Sequence, residues 1–381
     1  MTSAQGPVRR SIPLARPDIG ARELELVTQV LQSDVLALGS FAQRFETGIA
    51  AVAGRRDGVA CSSGTAGLHL GVRALEIGDG DEVITTPFSF VASSNCLLYE
   101  RAVPRFVDIE EDSLGIDPGL MEDAVTPRTR AVLPVHVFGR PCRIEGVGAI
   151  AQRHGWAVIE DACEGLGSTV GGRPLGGFGD VAVFAFYPNK QITTGEGGMV
   201  VTDNAALADT MRSLRNQGRD ADGAWLRHVR LGYNYRLDEL SAAVGVAQLE
   251  RLEELRRGRA RVVAAYERAL GRCDWVTLPR AGAGESVDWF VYVIRLHLEI
   301  DRDRIIGRLA ELGVPTRPYF APIHLQPFYR STFGFRPGDF PVTERVAAST
   351  LALPFSSRLS DEDVRYVADA LIEVVDAEGR R

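Results

Sequence analysis

Two kinds of apolar spacing alternate along this chain. Short runs rich in β-branched and aromatic residues, Val59–Cys61, Asp81–Thr86, Arg105–Asp108, Ala131–Val137, Trp156–Ile159, Val181–Phe186 and Met199–Thr202, read as strands. Between them, apolar residues recur every three or four positions. Ala21–Leu31 carries Leu24, Leu26, Val27, Val30 and Leu31 in this way, and Phe41–Val52, Ala66–Leu75, Val91–Tyr99 and Ala205–Leu214 also read as helices. Strand followed by helix, repeated, predicts an α/β protein with a large, mostly parallel wound sheet flanked by helices. From Leu237 one or two long helices follow, apolar on one face and rich in Arg and Glu on the other. They lead to a C-terminal α+β part: strand Trp289–His297, helix Arg302–Gly313, the loop PTRPYFAPIHLQPFY and helix Asp361–Ala377. The expected division is a large domain over 1–255 and a smaller one over 256–381. Met1–Arg10 reads as a loose arm and Arg215–Arg230 as a mobile polar loop.

Composition narrows the class. A chain of 381 residues is long enough for two domains and a large core. A net charge of −7 supplies no basic field for a nucleic acid. No apolar run approaches the ~20 residues of a membrane span, and the start lacks the charged-then-apolar pattern of a secretory leader. Cys61, Cys96, Cys142, Cys163 and Cys273 form no C-x-x-C pair and no metal spacing, and the histidines show no ligand spacing. The expectation is a cytoplasmic enzyme or binding protein with free thiols and no metal.

Charge chemistry changes the picture at one residue. Of the 43 Lys and Arg side chains, Lys190 is the only lysine. Arginine keeps its proton near neutral pH, whereas a desolvated lysine amine can become a nucleophile. Codon bias with one lysine left on a surface turn is the other reading, and the flanks weigh against it. Val181–Phe186 is a buried-strand pattern, Pro188 ends it, and Gly195, Gly197 and Gly198 follow, so Lys190 falls at a strand end where open α/β sheets place ligands.

Three further features gain meaning beside it. Ser62-Ser63-Gly64-Thr65 joins a strand to an apolar helix and is either an anion cradle or an ordinary cap. Phe88 and Phe90 stand at a strand-to-helix junction and either stack on a planar ring or belong to the core. Asp161 ends the strand Trp156–Ile159 and either caps a turn or holds a protonated heteroaromatic nitrogen; Lys190 follows 29 residues later at the same sheet edge. An amine, a carboxylate, an anion cradle and an aromatic face together match the needs of pyridoxal 5′-phosphate.

The ordered motifs SSGTAGLHL, DEVITTPFSFVAS, PVHVFG, VIEDACEGLG, FYPNKQITTGEGGMVVT, GYNYRLDELSAA and LALPF, with IPLARP near Ile12 and Phe45-Glu46, span about Pro13 to Leu371. Over that length the chain resembles the DegT/DnrJ/EryC1/StrS sugar aminotransferases, whose architecture is that of fold type I pyridoxal-phosphate enzymes. The resemblance implies a homodimer with shared active sites, in which Lys190 is the imine lysine and proton shuttle and Asp161 the partner of the ring nitrogen. Phe90 would stack on the ring, Ser63, Gly64 and Thr65 would bind the phosphate, and Asn234 would reach the phosphate of the neighbouring subunit. Tyr319, His324 and Arg236 are the candidate substrate contacts. Two positions depart from the family pattern: Ala185 stands where a phosphate-binding serine is usual, and Glu164 where glutamine is frequent near the cofactor hydroxyl. The implied reaction is transfer of an amino group, from L-glutamate, to a keto group of a nucleotide-linked deoxysugar. The rivals are a cyclitol or other non-nucleotide carbonyl substrate, a sugar dehydratase using the same cofactor without a lysine imine, and a non-catalytic regulatory homologue. Lys190 argues against the last two.

Overall fold

In the computed structural model, residues 11–220 and 226–378 are described. The expected N-terminal arm over 1–10 and part of the expected mobile loop, 221–225, lie outside them. Thirteen strands are present among the described residues: β1 (Asp57–Cys61), β2 (Glu82–Thr85), β3 (Val103–Phe106), β4 (Thr129–Val132), β5 (Ala157–Asp161), β6 (Thr169–Val170), β7 (Arg173–Pro174), β8 (Val181–Ala185), β9 (Gly198–Thr202), β10 (Val276–Thr277), β11 (Glu285–Ser286), β12 (Tyr292–Leu296) and β13 (Thr350–Leu353). Seven form one sheet in the order β1-β9-β8-β5-β4-β2-β3. Only β9 runs against the others, pairing antiparallel with β1 and with β8. The architecture is that of fold type I.

Both faces of this sheet are covered, which is why its strands are apolar throughout instead of alternating with polar residues. Along β8 the side chains divide by parity: Val181 and Val183 join the core that contains Leu68, Ile159 and Val200, while Ala182 and Phe184 join Phe45, Ile49 and Met199 on the opposite face. A second sheet, β10-β12-β13, is antiparallel and shares the first of these cores through Tyr292, Ile294 and Leu351. The two long helices are separate, Glu239–Glu250 and Leu252–Leu270, with Arg251 between them. The expected division at 255/256 therefore falls within the first turn of the second.

Some polar residues in the sequence motifs prove to be helix caps and strand clamps. Glu239 is buried and accepts hydrogen bonds from the backbone N–H groups of Gly39, Phe41 and Ala42, satisfying the first turn of helix Ser40–Val52. Glu46 accepts from the Ala60 N–H in β1 at 2.9 Å and pairs with Arg215. In helix Ala21–Leu31 the buried residues are Glu23, Leu26 and Val30, while Leu24 and Leu31 face outward. The sequence pattern did not separate those two leucines from the core stripe. Helix Pro341–Ser349 and strand β13 were not foreseen, because one runs into the next with no turn residue to mark the change. No described helix is long and apolar enough to cross a membrane.

Candidate active site

Strand β8 delivers the lysine. After Ala185 the chain turns, with Lys190 N–H donating to Tyr187 O at 2.9 Å and Thr194 N–H to Phe186 O at 3.0 Å. The Lys190 side chain is only 13% exposed and enters a cavity of about 590 Å³ at the C-terminal ends of β1, β5 and β8. Its Nζ lies 3.3 Å from Glu164 Oε1 and 4.0 Å from the centre of the Phe290 ring. The other oxygen of Glu164 accepts from the Phe138 N–H at 2.8 Å. Burial pushes the Glu164 carboxyl above its ordinary value, and the Lys190 charge beside it pulls the other way. The two groups form a buried ion pair at the turn.

Asp161 closes β5, next to β8 in register with Val183, and lines the same cavity. Both its oxygens are held: Oδ2 accepts from Ser93 Oγ at 2.7 Å and Oδ1 from the Cys163 N–H at 3.1 Å. Ser93 Oγ is in turn 2.7 Å from Ser89 Oγ. The carboxylate is thus oriented by neutral donors, and among the described residues no cation pairs with it.

The third wall is the start of helix Gly64–Ala74. Ser63 caps it, its Oγ accepting from the Ala66 N–H at 3.1 Å, and Gly67 N–H returns to Ser63 O at 3.0 Å. The N–H groups of Gly64 and Thr65 remain at the cavity, with the positive end of the helix dipole behind them. Bulk is excluded there for a geometric reason. A Cβ on Gly64 would lie 2.7 Å from Ala185 Cβ and 3.0 Å from Cys163 Sγ, and one on Gly198 would lie 2.3 Å from Ser63 O. Helix start, β8 and β9 approach this closely only because both positions are glycine.

An amine, an oriented carboxylate and an anion-binding helix start share one cavity, which fits the chemistry of pyridoxal 5′-phosphate. The profile of the DegT/DnrJ/EryC1/StrS aminotransferase family matches residues 17–372. The chain belongs to this family. It is 38% identical over 369 residues to the GDP-perosamine synthase of Caulobacter vibrioides, covering 96% of this chain and 98% of that one. Among solved structures, DesV of S. venezuelae in complex with a ketimine intermediate is 34% identical and superposes with a TM-score of 0.87, covering 92% of this chain and 93% of the other. DesI in the presence of its TDP-sugar product is also 34% identical, with a TM-score of 0.88 and coverage of 96% and 94%. The protein is therefore an aminotransferase, and its family implies dependence on pyridoxal phosphate.

For this family member, the residues expected at the site divide into two groups. Ser63, Gly64, Thr65, Phe90, Asp161, Glu164, Lys190 and Tyr319 all line the one cavity. Phe90 is 62% exposed, with its ring free at the cavity edge. Tyr319 packs near Phe290 and Phe320, and burial raises its hydroxyl above the ordinary value. The other three residues lie elsewhere. Asn234 is exposed and bridges to Asn216, and Arg236 donates to Asn216 Oδ1 at 2.9 Å, both outside the cavity of their own chain. His324 lies away from the cavity in a different way. It is fully buried, its Nε2 is 3.0 Å from Glu344 Oε1, and its ring packs on Phe340. It closes the loop onto helix Pro341–Ser349 and does not face the cavity.

Sequence reasoning missed several contributors. Ser93 and Cys163 orient Asp161, and Phe290 supplies the ring beneath the amine. Gln191, adjacent to the lysine, donates to Glu164 O at 2.6 Å and Asp288 O at 2.8 Å. Ser93 belongs to the S-F-V-A-S stretch and stands at the second position of helix Ala92–Leu98. Phe290 carried no local signal, being 100 residues from Lys190.

Proposed function

We propose that this aminotransferase transfers an amino group, from L-glutamate, to a keto group on a nucleotide-linked deoxysugar, acting as a cytoplasmic homodimer with a large domain to about residue 255 and a smaller one after it. The observation that carries the reading is the placement of the sole lysine amine, Lys190, 3.3 Å from a buried carboxylate in a cavity shared with Asp161 and a free helix start. Bound pyridoxal phosphate supplies an electron sink for the carbon that exchanges its proton. The protein supplies everything else. The Gly64 and Thr65 N–H groups would bind the cofactor's phosphate, Asp161 would hold its protonated ring nitrogen, and Phe90 would lie against its ring. Lys190 would hold the group through its aldehyde, and its amine would carry the proton that the reaction moves. Glu164, 3.3 Å from that amine, would keep it in place. Tyr319 is the substrate contact, with Arg236 and Asn234 offered to a partner subunit.

The names of the relatives support a nucleotide sugar: one is a GDP-perosamine synthase and another was solved with its TDP-sugar product. Exposed apolar side chains, Leu31, Val35, Leu36 and Leu38 together with Tyr99, support a second copy as partner. The test is a panel of nucleotide keto-sugars incubated with the enzyme, cofactor and glutamate, reading 2-oxoglutarate release. Turnover with a nucleotide sugar, and none with the free sugar or a ketocyclitol, is the expected result. Preference for the cyclitol overturns the reading.

A further inference from the structure

Arg259 lies in helix Leu252–Leu270, 69 residues from the lysine in sequence, and is 6% exposed. Its guanidinium faces carbonyl oxygens. Nη2 donates to Lys190 O at 2.6 Å and reaches Asn189 O at 3.5 Å; Nη1 donates to Phe290 O at 3.0 Å and reaches Trp289 O at 3.4 Å. Among the described residues no carboxylate stands within ion-pair distance of it, the Asp288 carboxylate being paired with Arg256. Burial lowers its proton affinity to about 10, which still leaves it charged at neutral pH. Burying an unpaired guanidinium is costly unless its donors are well used. Here Nη1 and Nη2 are used, on the residue that carries the amine and on the residue whose ring lies 4.0 Å from that amine, while Nε is left without a partner.

We infer that Arg259 is a positioning residue for the Lys190 amine, its planar guanidinium joining the Asn189–Lys190 turn to the Trp289–Phe290 segment so that Nζ stays aimed into the cavity. Gln191, next to Lys190, also ties the turn to that segment through Asp288 O, and to the end of β5 through Glu164 O. Arginine is required because one planar fork serves two chain segments at once, which a point-like ammonium cannot do. A guanidinium lost from this place frees the lysine turn from the ring below it while leaving the phosphate cradle and Asp161 untouched.

The inference rests on the reading of Lys190 as the residue that bonds pyridoxal phosphate, and its test separates the two. The full chain is incubated with pyridoxal 5′-phosphate, so that the amine condenses with the aldehyde and expels water, and borohydride then reduces the C=N bond. Because Lys190 is the only lysine, the mass of its peptide reports capture directly. In Arg259→Met, capture is expected to slow by on the order of tenfold to a hundredfold, the cost of a misaimed reacting group. The melting temperature should stay near that of the wild type, and Arg259→Lys should recover part of the rate, its own new amine distinguished by its peptide. Arg261→Met, on the exposed side of the same helix, should capture at the wild-type rate. Capture by Arg259→Met at the wild-type rate overturns the inference. If that variant does not fold, Arg259→Lys decides alone: slowed capture in a folded protein supports the inference, and an unchanged rate overturns it. A wild-type chain that captures no cofactor overturns the proposed function itself.

Discussion

Two loops of this molecule invite comparison: the turn after β8 that carries Lys190, and the proline-rich loop that carries Tyr319 and His324. In the first, residues close in sequence do one job. Lys190 enters the cavity, Gln191 ties down the backbone, and Thr193 and Thr194 fold the chain back onto Phe186. In the second, residues five apart go opposite ways, Tyr319 to the cavity and His324 into a buried pair with Glu344. The turn after β8 has both ends anchored in the sheet, at Ala185 and Gly198, which pair directly. The other loop has no such frame, and each of its residues is placed by whatever it packs against. A motif on a strand end can be read for direction; a motif in an irregular loop can be read only for presence.

Substitutions can break this comparison, and the largest effects belong to the first loop. Lys190→Ala should lower kcat by roughly 10⁴-fold, since both the covalent link and the proton carrier are lost. A variant retaining more than about a tenth of wild-type turnover would place the chemistry elsewhere. Asp161→Asn should cost on the order of 10² to 10³ in kcat, because an amide cannot supply the charge that holds a protonated ring nitrogen. Ser93→Ala should produce a smaller loss of the same kind by freeing one oxygen of Asp161.

The second loop should divide its effects between activity and stability. Tyr319→Phe is expected to change KM or kcat up to about tenfold with the melting temperature unmoved. His324→Ala should cost about 2 to 3 kcal/mol of stability, leaving Glu344 without one partner and a cavity beside Phe340, while the folded enzyme keeps its kcat. The reverse result for either residue would dissolve the distinction between the two halves of that loop.

The smallest expected effect is a pH dependence. A carboxyl whose proton affinity is raised by folding binds more protons in the native state, so its contribution is present at acid pH and is lost as pH rises from the ordinary carboxylate range through the raised value. Glu164→Gln should therefore flatten the decline in melting temperature of the cofactor-free protein across that window. Lys190→Ala should steepen it, because the charge opposing the rise in Glu164 is gone. Parallel curves for all three proteins would show that the pair is not coupled.

The sequence by itself determined the seven main strands to within a few residues, their wound order as a class, and the group that gathers at the strand ends: Lys190, Asp161, the Ser63–Thr65 turn and Phe90. Those signals are local, since an apolar run, the proline that ends it and a glycine turn are set by near neighbours. Tertiary structure alone decided which polar residues face the cavity. Glu239 became a cap for a helix 200 residues earlier, His324 a buried partner of Glu344, and Arg259 and Phe290 the support of the lysine. Each of those roles depends on contacts between segments far apart in the chain, where no spacing rule applies and only packing assigns partners.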